Sequence, residues 1–282
     1  MRLAGVIGWP VAHSKSPVIH RFWLEALGED GDYCRLGVPP EHFAAAVRAL
    51  PLLGFAGVNV TIPHKEAALA LASRATPAAA AIGAANILAV EPDGGLLADN
   101  SDWLGFAETI ADRSVRHAIV VGAGGAARAI LFALKERGVG AVTLMNRTPA
   151  RAQALLAASG LAGEVRPLDA PLPPADLLVQ TSPLGMAGQP PFLPDLAPLA
   201  PDALVEDIVY APLETPLLAA ARAHGLATVD GLAMLIGQAA PAFTRFFGAS
   251  PPRARDAELR QLLTRPAPSS GVRGLRSRPP EA

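Results

Sequence analysis

Gly122-Ala123-Gly124-Gly125-Ala126-Ala127 directly follows the apolar run at 118–121 and opens a helical pattern. Glycines at a strand-to-helix turn let the backbone approach a pyrophosphate, and the helix N-terminus offers free N–H groups and partial positive charge. Ala127 stands where a third glycine is usual, and no Lys-Ser/Thr pair follows, which excludes a nucleoside-triphosphate P-loop. Twenty-four residues after Gly122 the chain reads Asn146-Arg147-Thr148-Pro149-Ala150-Arg151. An acidic residue there would hold a ribose 2′-hydroxyl. Two arginines one helical turn apart instead suit a 2′-phosphate, by charge and by planar hydrogen bonding. No acidic residue lies between them in the sequence. Each feature alone has a plainer use, as a tight turn or as a helix start with solvated arginines.

The lysines give a second clue. There are three, Lys15, Lys65 and Lys135, against 21 arginines. Lys135 reads as an incidental residue of an exposed helix face. Lys65 follows a strand pattern at 55–62 in which Asn59 and Thr61 share one face by the period of two. Two polar side chains and an ammonium at such a strand end make a substrate floor. Asp102 stands where another strand pattern gives way to a helix. A Lys–Asp pair is a proton-transfer unit, because the carboxylate orients the amine. A helix-cap aspartate is the plainer use of Asp102.

These groups need a scaffold, and the chain supplies alternating strand and helix patterns. Strands are expected at 3–9, 33–38 and 55–62, with a hairpin at 86–91 and 96–100 around Pro92-Asp93-Gly94-Gly95. Helices are expected at 16–27, 40–50, 64–73 and 77–82, the first opened by Ser16-Pro17. A second series follows, with strands at 118–121, 141–146, 176–181 and 203–208. Its helices fall at 125–137, 148–158, 214–224, 231–247 and 256–263. Twelve of the 28 prolines lie between Pro167 and Pro216, so stiff loops surround the later strands. The alternation points to an α/β fold with largely parallel sheets. Beyond about residue 265 the composition turns to Pro, Ser, Gly and Arg, and residues 266–282 are expected to be a disordered tail.

The 282 residues allow one large domain or two modest ones. A hydrophobic share of 51% excludes disorder over most of the length. A net charge of −1 argues against a nucleic-acid binder or a polybasic membrane-surface protein. The longest uncharged stretch, 177–194, carries Gln180, Thr181 and Ser182 and is broken by four prolines, so it is no membrane span. The start, Met1-Arg2 and then LAGVIGWPVA, imitates a signal peptide, but its apolar core is brief. It reads as the first strand of a cytoplasmic enzyme. The single cysteine, Cys34, reads as a buried inert thiol.

Nine segments, taken in order, resemble the shikimate dehydrogenase family: HSKSPVIH (13–20), GVNVTIPHK (57–65), IGAAN (82–86), DNSDWLGF (99–106), VGAGGAARA (121–129), NRTPAR (146–151), TSPLGM (181–186), DIVYAPLETPLL (207–218) and DGLAMLIGQA (230–239). The resemblance implies two domains, an N-terminal mixed α/β substrate domain (1–101) and a Rossmann-like doubly wound NADP-binding domain (102–230). Helices at 231–265 then return to the first. It implies reversible NADPH-dependent reduction of 3-dehydroshikimate, with Lys65 catalytic and Asp102 its partner. Ser14, Ser16, Asn59, Thr61, Lys65, Asn86, Asp102, Tyr210 and Gln238 match substrate positions. Gly122, Ala123, Gly124, Gly125, Ala126, Asn146, Arg147, Thr148, Arg151, Thr181, Met186 and Gly231 are expected along NADP(H). No metal is required, and His13 and His64 are expected to support loops.

Four departures stand out: Ile87 for threonine, Arg21 for asparagine, Trp103 for a small residue and Gln180 for asparagine. None removes a proposed catalytic group, and Ile87 and Trp103 are the two that could alter substrate preference. The expected partner is a small molecule, with neither nucleic acid nor membrane, and the chain acts as a monomer or homodimer. Alternatives are a quinate/shikimate dehydrogenase, a methylene-tetrahydrofolate-type dehydrogenase and a non-catalytic nucleotide-binding regulator. The last need not keep Lys65 and Asp102.

Overall fold

In the computed structural model, which describes residues 1–265, two six-stranded sheets stand side by side. The chain runs β1 (Arg2–Gly8), α1 (Ser16–Leu27), β2 (Gly31–Gly37), α2 (Phe43–Ala49), β3 (Phe55–Val60), α3 (Lys65–Leu71), β4 (Arg74–Ala75), α4 (Pro77–Ile82), β5 (Ile87–Val90) and β6 (Leu96–Asp99). It continues through α5 (Asp102–Thr109), β7 (His117–Val121), α6 (Gly125–Glu136), β8 (Ala141–Asn146), α7 (Pro149–Ser159), β9 (Gly163–Pro167), β10 (Leu177–Gln180), β11 (Leu204–Asp207), α8 (Pro216–Ala223), β12 (Ala227–Asp230), α9 (Gly231–Phe247) and α10 (Asp256–Thr264).

The first sheet has the order β2-β1-β3-β5-β6-β4. β1 pairs in parallel with β2 and β3, while β5 runs antiparallel to both β3 and β6, so the sheet is mixed. The second sheet, β12-β11-β10-β7-β8-β9, is parallel throughout. Renumbered from its first strand, that is the doubly wound dinucleotide-binding order, with its reversal between β7 and β10. Ligands lie beyond the strand ends at such a point. Both central strands there are apolar because helices cover both faces, and Val120, Val121, Leu178 and Val179 are fully buried.

The C-terminal helices return to the first sheet. Phe243, Phe246 and Phe247 of α9 and Leu259 and Leu263 of α10 share one core with Val6, Trp23 and Tyr33. Burying each such side chain stabilises the docking by about 1.5–3 kcal/mol. α9 also crosses α5 backbone against backbone. A Cβ on Gly105 would stand 2.6 Å from the Met234 carbonyl oxygen, and one on Gly237 would stand 3.0 Å from the Gly105 Cα. This crossing sets the start of α5 beside Gln238.

Three short strands, β4, β9 and β12, are absent from the expected pattern. β9 is an edge strand, GEVRP, with no buried residue and a terminal proline, and β12 is the opposite edge. Half-exposed edge strands of four or five residues lack the apolar run that marks a buried one. Cys34, expected buried, is partly exposed. The expected tail at 266–282 lies outside the described residues. Among the described residues no helix is long and apolar enough to cross a membrane.

Candidate functional site

A cleft of about 730 Å³ is lined by residues from the strands and loops of both sheets. Its floor is built around Asp102, the first residue of α5. The Lys65 ammonium, at the start of α3, donates to Asp102 Oδ2 at 2.5 Å, and the Asn86 carboxamide donates to Oδ1 at 2.8 Å. Both carboxylate oxygens are therefore held. The pair is buried to 16% and 7% side-chain exposure, which shields it from the screening that weakens surface pairs. Neighbouring backbone locks the carboxylate in place. The Asp102 N–H donates to Asn100 Oδ1, and Asn100 Nδ2 donates to the Ala84 carbonyl. The Ser101 N–H donates to Asn86 Oδ1 at 2.7 Å, and the Ser101 hydroxyl donates to the Gln238 carbonyl at 2.8 Å.

Asn86 is thus spent largely on its neighbours. Its Nδ2 lies within 3.1 Å of Ser101 Oγ, Asp102 Oδ1 and Gln238 Oε1, three acceptors for two protons. Ser14 and Ser16 are buried on the opposite wall, with the Ser14 hydroxyl donating to Ser16 Oγ at 3.3 Å. Arg35 fixes their loop by two bonds to the Ser14 carbonyl. Asn59, Thr61, Tyr210 and Gln238 complete this half of the cleft. Tyr210 is presented by a loop that hangs from Asp207, whose carboxylate accepts from the Thr215 hydroxyl and the Val209 N–H. Burial raises the Tyr210 phenol above its ordinary pKa, with Arg35 opposing. The Asn100, Ser101 and Arg35 contributions were not read from the sequence, since each acts through tertiary hydrogen bonds.

The other half is the glycine turn. Gly122 has φ +115°, a conformation that favours glycine, and a Cβ there would meet Thr181 Oγ1 at 2.5 Å. Thr181 spends its hydroxyl on the Val121 carbonyl, so it shapes this wall. A Cβ on Gly124 would meet nothing within 4 Å, and α6 begins with no side-chain cap. Its first N–H groups are thereby free for an anion. Arg147 and Arg151 are exposed at the rim, and Asn146 folds the turn by donating to the Thr148 carbonyl. An open glycine face, an uncapped helix start and rim cations fit a phosphorylated dinucleotide. The halves touch at Gly125, where a Cβ would lie 3.2 Å from the Lys65 side chain.

The cleft brings every expected site residue together, Ala123, Ala126, Met186 and Gly231 included. Gly231 also answers to packing, since a Cβ there would collide with the Ile208 carbonyl. His64 supports its loop, bonding the Val38 carbonyl and stacking on Phe43, whereas His13 faces the cleft.

Other residues meet partners that the sequence does not show. The sequence between Arg147 and Arg151 holds no acid, but the fold brings Glu66 to 3.6 Å from Arg151 and 3.7 Å from Arg128. Ile87 and Trp103 do not line the cleft. Ile87 belongs to the core beneath α9, and Trp103 packs edge-on against Phe132 between α5 and α6. Arg21 pairs with Asp32 on the surface. Gln180 is buried and folds the following loop through Ser182 and Leu184.

Residues 6–88 match the model of the shikimate dehydrogenase substrate binding domain, and residues 106–181 that of shikimate / quinate 5-dehydrogenase. The shikimate dehydrogenase (NADP(+)) of Sphingopyxis alaskensis is 55% identical over 265 residues, spanning 92% of this chain and 96% of that protein. This chain belongs to the shikimate dehydrogenase family. Another member, from Rhodospirillum rubrum, is 54% identical over 89% of this chain and 93% of its own length. Among solved structures, the shikimate 5-dehydrogenase of Thermus thermophilus in complex with NADP(H) and shikimate has 37% identity and a TM-score of 0.81. The match covers 93% of this chain and 100% of that one. A quinate dehydrogenase from Corynebacterium glutamicum in complex with NAD has 32% identity and a TM-score of 0.81, covering 93% and 99%.

Proposed function

We propose that this chain is an NADP(H)-dependent oxidoreductase that reversibly reduces 3-dehydroshikimate to shikimate, in aromatic amino-acid biosynthesis in the cytoplasm. The observation that carries the reading is one cleft joining the buried Lys65–Asp102 pair to an uncapped glycine turn and rim arginines. Membership of the family, with NADP(+)-dependent relatives above 50% identity, supports the substrate and cofactor. A chain with one cysteine has no internal disulfide for an oxidising compartment to preserve.

NADPH, when bound, supplies the hydride. In the reducing direction Lys65 passes a proton from Nζ to the substrate carbonyl oxygen as it becomes an alcohol. Asp102 holds the ammonium through Oδ2, and its position is fixed by Asn86, Asn100 and Ser101. Ser14, Ser16, Asn59, Thr61, Asn86, Gln238 and Tyr210 give a substrate with three hydroxyls a wall of hydroxyls and amides. A site built this way rejects analogues that leave its polar groups unpaired. Gly122, Ala123, Gly124, Gly125 and Ala126 take the pyrophosphate, and Arg147 and Arg151, shaped by Asn146 and Thr148, take the 2′-phosphate. Thr181, Met186 and Gly231 line the rest of the cofactor path. Residues 1–101 with 231–265 form the substrate domain and 102–230 the cofactor domain. The chain works as a monomer or homodimer.

Steady-state oxidation of shikimate and of quinate, each with NADP⁺ and with NAD⁺, tests the reading. Shikimate with NADP⁺ is expected to give the highest kcat/KM, at least tenfold over NAD⁺. A preference for quinate moves the assignment to a quinate dehydrogenase, and no turnover of any pair defeats the enzymatic reading.

A further inference from the structure

Tyr33 lies outside the set of residues assigned to substrate or cofactor, yet its hydroxyl donates to Asn59 Oδ1 at 2.7 Å. Tyr33 sits on β2 opposite Ala4 of β1, and Asn59 on β3 opposite Val6. The two share a sheet face with one strand between them, and the phenol reaches across it. Asn59 is pinned from its other end as well, because Nδ2 donates to the Asn86 carbonyl at 3.2 Å. That carbonyl can only accept, so it requires the amide nitrogen, and the phenol supplies the amide oxygen. One Nδ2 proton and one Oδ1 lone pair remain for a ligand in the cleft that Asn59 lines.

The phenol is held as rigidly as the bond it makes. Its ring is fully buried and stacks on His20, centroids 4.0 Å apart and planes 6° apart. His20 lies against Trp23 and Phe243, and neither of its ring nitrogens has a partner among the described residues. Burial pushes the His20 pKa down to about 3, so the platform stays uncharged. Burial and neighbouring Cys34 raise the Tyr33 phenol well above its ordinary pKa, with a hydrogen bond from Ser16 opposing. The proton on the phenol oxygen is therefore present across the working pH range.

We infer that Tyr33 is a positioning residue that fixes the Asn59 carboxamide, and through it the hydrogen-bonding pattern the cleft offers to a polyhydroxylated substrate. The inference rests on the proposed substrate role of Asn59. Without the phenol oxygen, Oδ1 loses its donor among the described residues, and nothing holds the amide oxygen in that orientation.

A double-mutant cycle with Tyr33→Phe and Asn59→Ala tests this, read as KM and kcat for shikimate with NADP⁺, alongside NADP⁺ binding followed by calorimetry. Tyr33→Phe is expected to raise KM for shikimate roughly threefold to tenfold, the worth of one hydrogen bond, with kcat and NADP⁺ affinity nearly unchanged. In the Asn59→Ala background most of that effect is expected to vanish, leaving only what the phenol contributes through Ser16. If Asn59→Ala leaves KM unchanged, the substrate role of Asn59 fails and the inference falls with it. If Asn59→Ala raises KM while Tyr33→Phe does not, or if the two effects add in full, the positioning role alone is overturned. A separate measurement on the wild-type enzyme covers failure of Tyr33→Phe to fold. A protected Tyr33 hydroxyl proton showing a nuclear Overhauser effect to the Asn59 carboxamide is expected, and its absence overturns the inference.

Discussion

Lys65→Ala is expected to lower kcat by about 10²–10⁴, the range for a positioned acid or base, with a smaller change in KM. The ammonium is held by a carboxylate whose other oxygen is also bound, so the pair is fixed in place. Unchanged kcat in a folded variant removes Lys65 from the mechanism. The proposed cofactor selectivity also rests on single residues. Replacing Arg147 and Arg151 with glutamine is expected to raise KM for NADP⁺ at least tenfold, since each charge-assisted contact carries about 1.5–3 kcal/mol before screening. NAD⁺ kinetics should barely move. Glu66, close to Arg151 and Arg128, opposes the same phosphate by like charge. Glu66→Gln is therefore expected to tighten NADP⁺ binding more than NAD⁺ binding, most clearly at low salt. Calorimetric titration of both dinucleotides checks this, and equal change for the two refutes it.

Between elements, the decisive contact is the α5–α9 crossing. Asp102 begins α5, and the helix must approach α9 closely for the Ser101 hydroxyl to reach the Gln238 carbonyl. Gly105 permits that approach, because any larger residue drives a Cβ into backbone 2.6–2.7 Å away. Gly105→Ala is expected to separate the helices and cost about 1–3 kcal/mol of stability, the usual penalty of overpacking. kcat should fall with it, as Asp102 moves relative to Lys65. A variant with unchanged melting temperature and kcat shows that the crossing tolerates a methyl group. The same scale explains the overlooked strands. β9 and β12 gain their order from the neighbours they pair with, whereas β7 and β10 carry apolar runs that any reading of the chain finds.

The folded molecule carries titratable groups whose burial ties stability to pH in opposite directions. Burial, which outweighs a bond with Thr109, raises Glu206 to about 8, with Asp230 and Asp207 adding repulsion. Geometry agrees, since the Thr109 hydroxyl lies 2.7 Å from both the Phe106 carbonyl and Glu206 Oε2. One hydroxyl proton is shared between these two acceptors, so the bond does little to hold the Glu206 carboxylate charged. Between the ordinary carboxyl range and about pH 8 the unfolded chain has lost a proton that the folded chain keeps. Stability therefore falls as pH rises through that window, by at most about 1.4 kcal/mol per unit. Asp207, raised to about 6 by burial, acts in the same sense over a lower range. His20, lowered to about 3, does the reverse and removes stability as pH falls below about 6.5. Glu206→Gln is expected to hold its melting temperature between pH 6.5 and 8, where the wild type declines. Parallel curves for the two proteins defeat the argument.

Local signals were enough to single out most of the residues that the fold gathers in the cleft. Lysine scarcity singled out Lys65, and the glycine turn after an apolar strand and the paired arginines did the same for the cofactor face, because those demands are met within a few residues. The alternation of strand and helix likewise carried the α/β class, while the return of the C-terminal helices to the first sheet came from resemblance. Other facts belong to the tertiary structure alone. Glu66 meets Arg151 across 85 positions, Asn86 meets Gln238 across 152, and the Tyr33 hydroxyl finds Asn59 across an intervening strand. Ile87 and Trp103 turned inward to the cores, although their neighbours Asn86 and Asp102 face the cleft. Periodicity names the face on which a side chain lies, but only the packing of helices and strands determines which side chain stands opposite.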